Sequence, residues 1–336
     1  MRLGIDCRGS ISDEQLSFGR QLGATDAIAG GAAIARDRTT SGPPHLEYEE
    51  LVLAREQVEA SGLKLHAIEN QPFSWYGDIF YGGSQRDTQI ENWQQTLRNM
   101  GRAGIPVLGY SLMEGSAGRY STRTNLEAPA RGGARVSRYE HDQLTNPTAE
   151  ARATWPDVSA RAELSEAQML ENLERFQQAV LPAAEEENVR LALHPDDPPV
   201  PSLYGLPRLA SSHAGLRQLL ELVPSDHHGL DFCQGTISEM DEDIYDAISY
   251  FGSQGKILYV HFRNVSAAVP DFVETFIDEG YVNMAKAMRL YEEAGVDVPF
   301  IDDHVPHLSD DDPYQHRSRA FAMGYIKALL DAVRTN

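Results

Sequence analysis

The chain has 336 residues, 41% of them hydrophobic, and a formal net charge of −21. That length suits one large α/β barrel or two ordinary domains. The acidic balance disfavours a nucleic-acid binder, which needs a basic face, and no apolar run reaches the roughly 18 residues of a membrane span.

Two cysteines, Cys7 and Cys233, are no disulfide framework, and residues 1–6 enter a strand-like pattern without a signal-peptide segment. A reduced, cytoplasmic protein is the expectation. Lysine is confined to Lys64, Lys256, Lys286 and Lys327. Such an acidic, lysine-poor surface suits a high-salt surrounding, where screening removes self-repulsion; the plain alternative is an acidic protein from a GC-rich genome.

In chain order, short apolar runs alternate with longer amphipathic segments. Strands are predicted at 2–6, 25–29, 64–69 and 105–110. Helices are predicted after Ser12-Asp13-Glu14-Gln15, at 46–60 and at 84–103, the last stopped by Gly104. An aromatic loop at 73–81 reads as packed core or as a pocket wall. Residues 111–156 are rich in Arg, Gly, Thr and Ser and too long for an ordinary connection, which marks a functional loop or lid. A helix at 163–188 leads to a strand at 190–194. Further strands at 229–233, 257–261 and 299–303 alternate with helices at 210–222, 239–251, 283–294 and 314–333. Eight strand–helix units imply parallel strands with right-handed crossovers, hence a single (β/α)₈ TIM barrel over 1–336 with a loop insertion at about 111–160. An open doubly wound sheet is the alternative, weakened because no G-x-G-x-x-G follows the first strand.

Barrels keep their chemistry at the C-terminal ends of the strands. Strands five to eight end in His194, Cys233, His261 and Asp303. Two imidazoles, a thiolate and a carboxylate form a set suited to a divalent transition metal, with the thiolate favouring Fe²⁺, Zn²⁺ or another softer ion and the N and O ligands suiting Mn²⁺ or Fe²⁺. Each residue alone also has a structural explanation: a small buried thiol, a core histidine, a loop-capping aspartate. Arg263 and Asn264 follow His261, and an arginine there suits a two-point clamp on a substrate carboxylate or, equally, a salt bridge. His304 suits a general acid or base, or a loop role. Glu69, ending strand three, suits orientation of a substrate hydroxyl, or a structural hydrogen bond.

At these residues the chain resembles the mannonate dehydratase family of the xylose-isomerase-like barrels. Leu193-His194-Pro195-Asp196-Asp197-Pro198-Pro199, with Tyr204-Gly205-Leu206-Pro207-Arg208 after it, is similar to the family's A-L-H-P-D-D-P-P…G-L-P-R signature. Thr96-Leu97-Arg98-Asn99-Met100-Gly101-Arg102-Ala103-Gly104-Ile105 and Tyr259-Val260-His261-Phe262-Arg263-Asn264 carry further likeness, and Phe232-Cys233-Gln234-Gly235 and Asp303-His304 match shorter motifs. The resemblance implies metal ligands at His194, Cys233, His261 and Asp303, a catalytic histidine at His304 and a catalytic tyrosine at Tyr314. It implies dehydration of a sugar acid, D-mannonate or a close aldonate, with Mn²⁺ or Fe²⁺ as cofactor. The chain departs from the family where Ile5-Asp6-Cys7-Arg8-Gly9 replaces an R-W pair, and where Ile301-Asp302-Asp303-His304-Val305 replaces R-P-D-H-G. A sugar isomerase or epimerase on the same barrel and a non-catalytic sugar-acid-binding protein are the rival expectations. The expected partners are a small-molecule sugar acid and further copies of the chain in a homo-oligomer, with no nucleic acid and no membrane.

Overall fold

The computed structural model describes residues 1–7, 9–35, 42–113, 122–145, 164–203 and 206–334. Of the motif residues, Arg8, Tyr204 and Gly205 lie outside these. The strands in chain order are β1 (Arg2–Cys7), β2 (Asp26–Gly30), β3 (Lys64–Glu69), β4 (Val107–Ser111), β5 (Asn125–Pro129), β6 (Arg135–Glu140), β7 (Arg190–His194), β8 (Ser202–Leu203), β9 (Leu206–Pro207), β10 (His228–Cys233), β11 (Ile257–His261), β12 (Asp271–Val273) and β13 (Pro299–Ile301). Eight of them close a barrel in the order β1-β13-β11-β10-β7-β4-β3-β2, and every pairing in it is parallel. This is the (β/α)₈ architecture expected from the alternation.

The barrel strands read as near-continuous apolar runs because both faces are covered. Ile28, Ala67, Val107, Ala192, Leu258, Tyr259 and Ile301 fill the inside, while a larger apolar cluster joins the barrel to the surrounding helices. Local signals set the helices. Ser12 caps Asp13–Gln21 by accepting from Gln15 N, and Ser165 and Gln168 form a reciprocal capping box at the start of Glu166–Glu186. The helix Arg86–Ala103 stops at Gly104, whose φ of 73° is the left-handed turn that glycine adopts without strain. The aromatic loop is mostly core: Phe73, Trp75, Tyr76 and Phe80 are buried, and Tyr76 meets Phe73, Phe80 and Trp93 edge to face.

Two departures bear on the site. The last strand ends at Ile301, two residues short of the expected end, so Asp303 stands on a loop with φ of 53°, a conformation aspartate tolerates better than most residues. The long stretch between β4 and β7 carries structure of its own. Its described residues include β5 and β6, which pair antiparallel, and β6 pairs in turn with β12 from the loop after β11. This three-stranded sheet stands over the C-terminal rim of the barrel, where Arg135 also bridges to His307.

Candidate metal centre and cavity

Alternation along a strand sends residues i and i+2 to the same face. On β10 that face carries Asp231 and Cys233; on β11 it carries Tyr259 and His261. A cavity of about 520 Å³ opens above them, within the range of small-molecule sites, and its lining includes Glu69, His194, Asp231, His261, Asp303 and His304.

His194, Cys233 and His261 each bring a ligand atom within 4.8 Å of the others. Asp303 Oδ2 lies 3.9 Å from Cys233 Sγ and 3.7 Å from His261 Nδ1. Each histidine has one nitrogen committed elsewhere. His194 Nδ1 donates to the Pro195 carbonyl at 2.6 Å, which leaves Nε2 with the lone pair. His261 Nε2 faces Glu69 Oε2 at 3.2 Å and Asp231 Oδ1 at 3.3 Å, and Tyr259 Oη donates to the same Glu69 oxygen at 3.1 Å. A Cβ at Gly109 would collide with that hydroxyl, so glycine is required there. The remaining nitrogen, His261 Nδ1, is buried without a hydrogen-bond partner.

The donor charges balance one another: a proton on each imidazole offsets the thiolate and the carboxylates, and a bound cation would take its place. Burial raises the pKa of Cys233, but Arg263 and the imidazoles of His194 and His261 outweigh it and hold the thiol well below its usual range, as thiolate. Burial opposes charge on His194, yet Asp231 and Cys233 push its pKa up to about 9. Burial similarly opposes charge on His261, where Asp231, Asp303 and Glu69 prevail and hold the pKa well above the ordinary value. Burial raises Asp231 to about 7, against the pull of His261 and His194. An orphaned buried nitrogen, a thiolate and an excess of carboxylates form a donor set that fits a divalent transition metal. Of the described residues, His194, Cys233, His261 and Asp303 would hold it, with Glu69 and Asp231 fixing the ring of His261.

The opposite wall is ionic. Arg123, from the segment between β4 and β7, meets Asp197 in two-point fashion, Nη1 to Oδ1 at 2.6 Å and Nη2 to Oδ2 at 2.8 Å, and also donates to Glu274 Oε1. Burial raises the pKa of Glu274, but Arg123, His304 and Arg263 overcome it and keep the carboxyl ionised. Glu274 Oε1 accepts from His304 Nδ1 at 2.7 Å, while His304, with its side chain 37% exposed, stands in the cavity wall with Nε2 3.6 Å from Asp303 Oδ1. Burial and Asp197 together push the pKa of Glu239 up, against the pull of Arg263 and Arg123.

Three sequence expectations change here. Arg263 is not at the cavity surface but buried, at 3% side-chain exposure. Its nitrogens are spent on Asp303 Oδ2 (2.9 Å), Glu239 Oε1 (3.0 Å), Asp197 Oδ2 (3.0 Å) and Thr236 Oγ1 (3.0 Å). Four of its five N–H donors are thus engaged, Nη1 also stands 3.5 Å from Glu274 Oε1, and the residue does not line the cavity; the guanidinium braces Asp303 rather than clamping a substrate carboxylate. A Cβ at Gly235 would strike it, which explains the glycine two residues after Cys233. Asn264 likewise turns inward, donating to the Val282 carbonyl at 3.0 Å and accepting from Val265 N, so it shapes a turn. Tyr314 is absent from the lining: its hydroxyl donates to the Asp6 carbonyl at 2.7 Å. Sequence reasoning missed Asp231, Arg123 and Glu274. Asp231 had a signal, being the one acid inside the apolar run 229–233 and two residues from Cys233. The other two had none within reach of a local pattern.

A closed parallel barrel gathering nitrogen, sulfur and carboxylate donors under a small cavity at its C-terminal rim is the xylose-isomerase-like form of the (β/α)₈ fold. Solved structures with this fold include a xylose isomerase domain protein from Planctomyces limnophilus, at a TM-score of 0.62 and 13% identity over 100% of this chain and 99% of that one, a likeness of fold alone.

Similarity of sequence narrows the class. The family model described as D-mannonate dehydratase (UxuA) matches residues 27–336. Mannonate dehydratase 2 of Halalkalibacterium halodurans is 32% identical over 306 residues, covering 85% of this chain and 87% of its own length. Mannonate dehydratase of Thermotoga maritima is 30% identical over 315 residues, covering 85% and 86%. The crystal structure of mannonate dehydratase from Streptococcus suis serotype 2 superposes with a TM-score of 0.85 at 26% identity, covering 100% of this chain and 94% of that one. The chain belongs to the D-mannonate dehydratase family, a family of hydro-lyases. Among the described residues no helix is long and apolar enough to cross a membrane.

Proposed function

We propose that the chain dehydrates D-mannonate to 2-keto-3-deoxy-D-gluconate and water, with a closely related aldonate as the neighbouring substrate. Family membership over most of the chain supports the reaction, and one observation carries it to these residues: His304 stands in the wall of the same cavity as the metal-competent cluster. In the balance of the reaction, the substrate loses its C2 proton and its C3 hydroxyl as water. The resulting enol becomes the 2-keto acid by tautomerisation.

His194, Cys233, His261 and Asp303 would hold a divalent cation, Mn²⁺ or Fe²⁺. When bound it supplies positive charge against the anion that develops beside the substrate carboxylate. His304 takes the C2 proton at Nε2, because Nδ1 is committed to Glu274. Glu69 lines the cavity and meets a substrate hydroxyl while one of its oxygens keeps His261 and Tyr259 in place. Arg263 acts by aiming Asp303, and Asn264 by holding the turn that follows. A reduced cytoplasm goes with this reading, since it keeps Cys233 as a ligand. A homo-oligomer remains the expected assembly, and mass in solution measures it.

The test is turnover. Metal-loaded protein incubated with a panel of aldonates should release a 2-keto-3-deoxy acid from D-mannonate fastest. Epimers without keto acid would move the reading to an isomerase or epimerase, and binding without any product to a sugar-acid-binding protein. Metal analysis of the purified protein separates Mn²⁺ from Fe²⁺.

A further inference from the structure

We infer that Glu274 is the positioning residue of His304, and that the segment between β4 and β7 exists in part to aim this carboxylate. The inference rests on the reading that His304 moves the substrate's C2 proton.

Glu274 immediately follows β12, on the loop after β11. Its backbone N–H donates to the Ser137 carbonyl at 3.0 Å, which fixes the chain against β6. Its side chain is then held at both oxygens. Oε2 accepts from the Ser137 hydroxyl, and Oε1 accepts from Arg123 Nε at 3.1 Å and from Arg123 Nη2. Ser137 and Arg123 both come from the segment between β4 and β7. Against this fixed carboxylate His304 places Nδ1 at 2.7 Å, the short distance of a charge-assisted hydrogen bond.

The consequence is chemical. A carboxylate that can only accept forces the neutral imidazole to carry its proton on Nδ1. Nε2 is then the basic nitrogen, and its 3.6 Å separation from Asp303 Oδ1 puts it on the side of the ligand cluster. The imidazolium formed when Nε2 takes a proton is stabilised by the same carboxylate. Glu274 neither lines the cavity itself nor belongs to the His194–Cys233–His261 cluster; its contact with the cavity is the bond to His304, so it acts through that residue. A carboxylate there for structure alone would have enough to do in neutralising Arg123, and would not need to meet His304 at a distance this short.

The experiment is a double-mutant cycle on the metal-loaded enzyme, with Glu274→Gln, His304→Ala and both together, read by kcat and KM for D-mannonate and by metal content. We expect E274Q to keep its metal, to keep KM within about threefold and to lose on the order of 10–100-fold in kcat. In the His304→Ala background the same change should cost less than about twofold, because residues acting as a unit are not additive. Folded, metal-loaded E274Q with wild-type kcat would overturn the inference, as would losses that multiply in the double variant. Should E274Q fail to fold, E274D takes its place, keeping a charge for Arg123 but withdrawing it from His304. A second measurement does not depend on substrate. Nitrogen-15 ring shifts of the Zn²⁺-loaded protein, assigned by the signal lost in His304→Ala, should show the Nδ1–H form of His304. The Nε2–H form would overturn the pairing even if D-mannonate proves not to be the substrate, and the Nδ1–H form would uphold it even then.

Discussion

The two walls of the cavity are built differently. One consists of His194, Cys233 and His261 at the ends of β7, β10 and β11, with Asp303 just beyond β13. The backbone pairing of the barrel sets their spacing: Cys233 lies in register with His261, and Ser111 with His194. On the other side Asp197 and His304 face the cavity, and Arg123, Glu239, Arg263 and Glu274 stand behind them, drawn mostly from loops and held by ion pairs and hydrogen bonds. Strand ends give rigid ligand directions at no cost beyond the fold. Loop groups must hold one another, so the second wall carries two buried guanidiniums whose charge is matched by surrounding carboxylates. Arg263 joins the walls, with Nε on Asp303 and Nη2 on Asp197.

Breaking the strand-built wall should have the largest effect. His194→Ala or Cys233→Ala is expected to lose bound metal and roughly 10³-fold or more in turnover together, with the helical circular dichroism retained. Stoichiometric metal in either variant would remove that residue from the ligand set. His304→Ala probes the loop-built side while keeping all four of the residues that would hold the metal. It should retain stoichiometric metal and still lose about 10²–10⁴-fold in kcat. A variant with full turnover would leave the proton transfer to another group.

The first wall was legible because it follows from a period. Short apolar runs ending in His194, Cys233 and His261 identify three strand ends, and a barrel makes strand ends neighbours. Asp303 was found by the same rule although its strand stops at Ile301. The second wall follows from no period. Arg123 lies in a polar stretch without regular pattern, and Glu274 at the end of a three-residue strand. They meet because β12 pairs with β6, a contact such as Asp271 with Glu140 that no local window spans. Arg263 was legible as a charged residue near the site but not in its direction. Whether a guanidinium faces the cavity or the protein depends on the room left at Gly235 and on the acids behind it.

Arg123→Ala sharpens the comparison at the next level. It leaves Asp197 with Arg263 as its cationic partner and Glu274 without its main counter-charge, both buried. Removing one partner of a buried ion pair typically costs about 3–5 kcal/mol, which the midpoint of a urea titration would read. Metal content should survive, because Arg123 makes no hydrogen bond or ion pair with His194, Cys233, His261 or Asp303. A variant that lost its metal in step with its stability would show that the two walls are one cooperative unit.

Tyr314→Phe should have the smallest effect, and it is where sequence and structure disagree most. Resemblance makes Tyr314 a catalytic acid or base. The structure ties its hydroxyl to the Asp6 carbonyl and stacks its ring edge-on against Phe18 and His316. Burial pushes the phenol's pKa far above its usual value, the chief lowering influence being Arg319, so it has no tendency to ionise near neutrality. A hydroxyl that only links the turn before the last helix to β1 contributes about 0.5–1.5 kcal/mol. Its removal should lower the melting temperature slightly and leave kcat within about threefold, a barrier change well under the 1.4 kcal/mol of a tenfold effect. A loss approaching 10²-fold in kcat, with KM and melting temperature unmoved, would mean that the hydroxyl leaves Asp6 and swings into the cavity when substrate binds. The bond to Asp6 would then describe the resting state of a catalytic group.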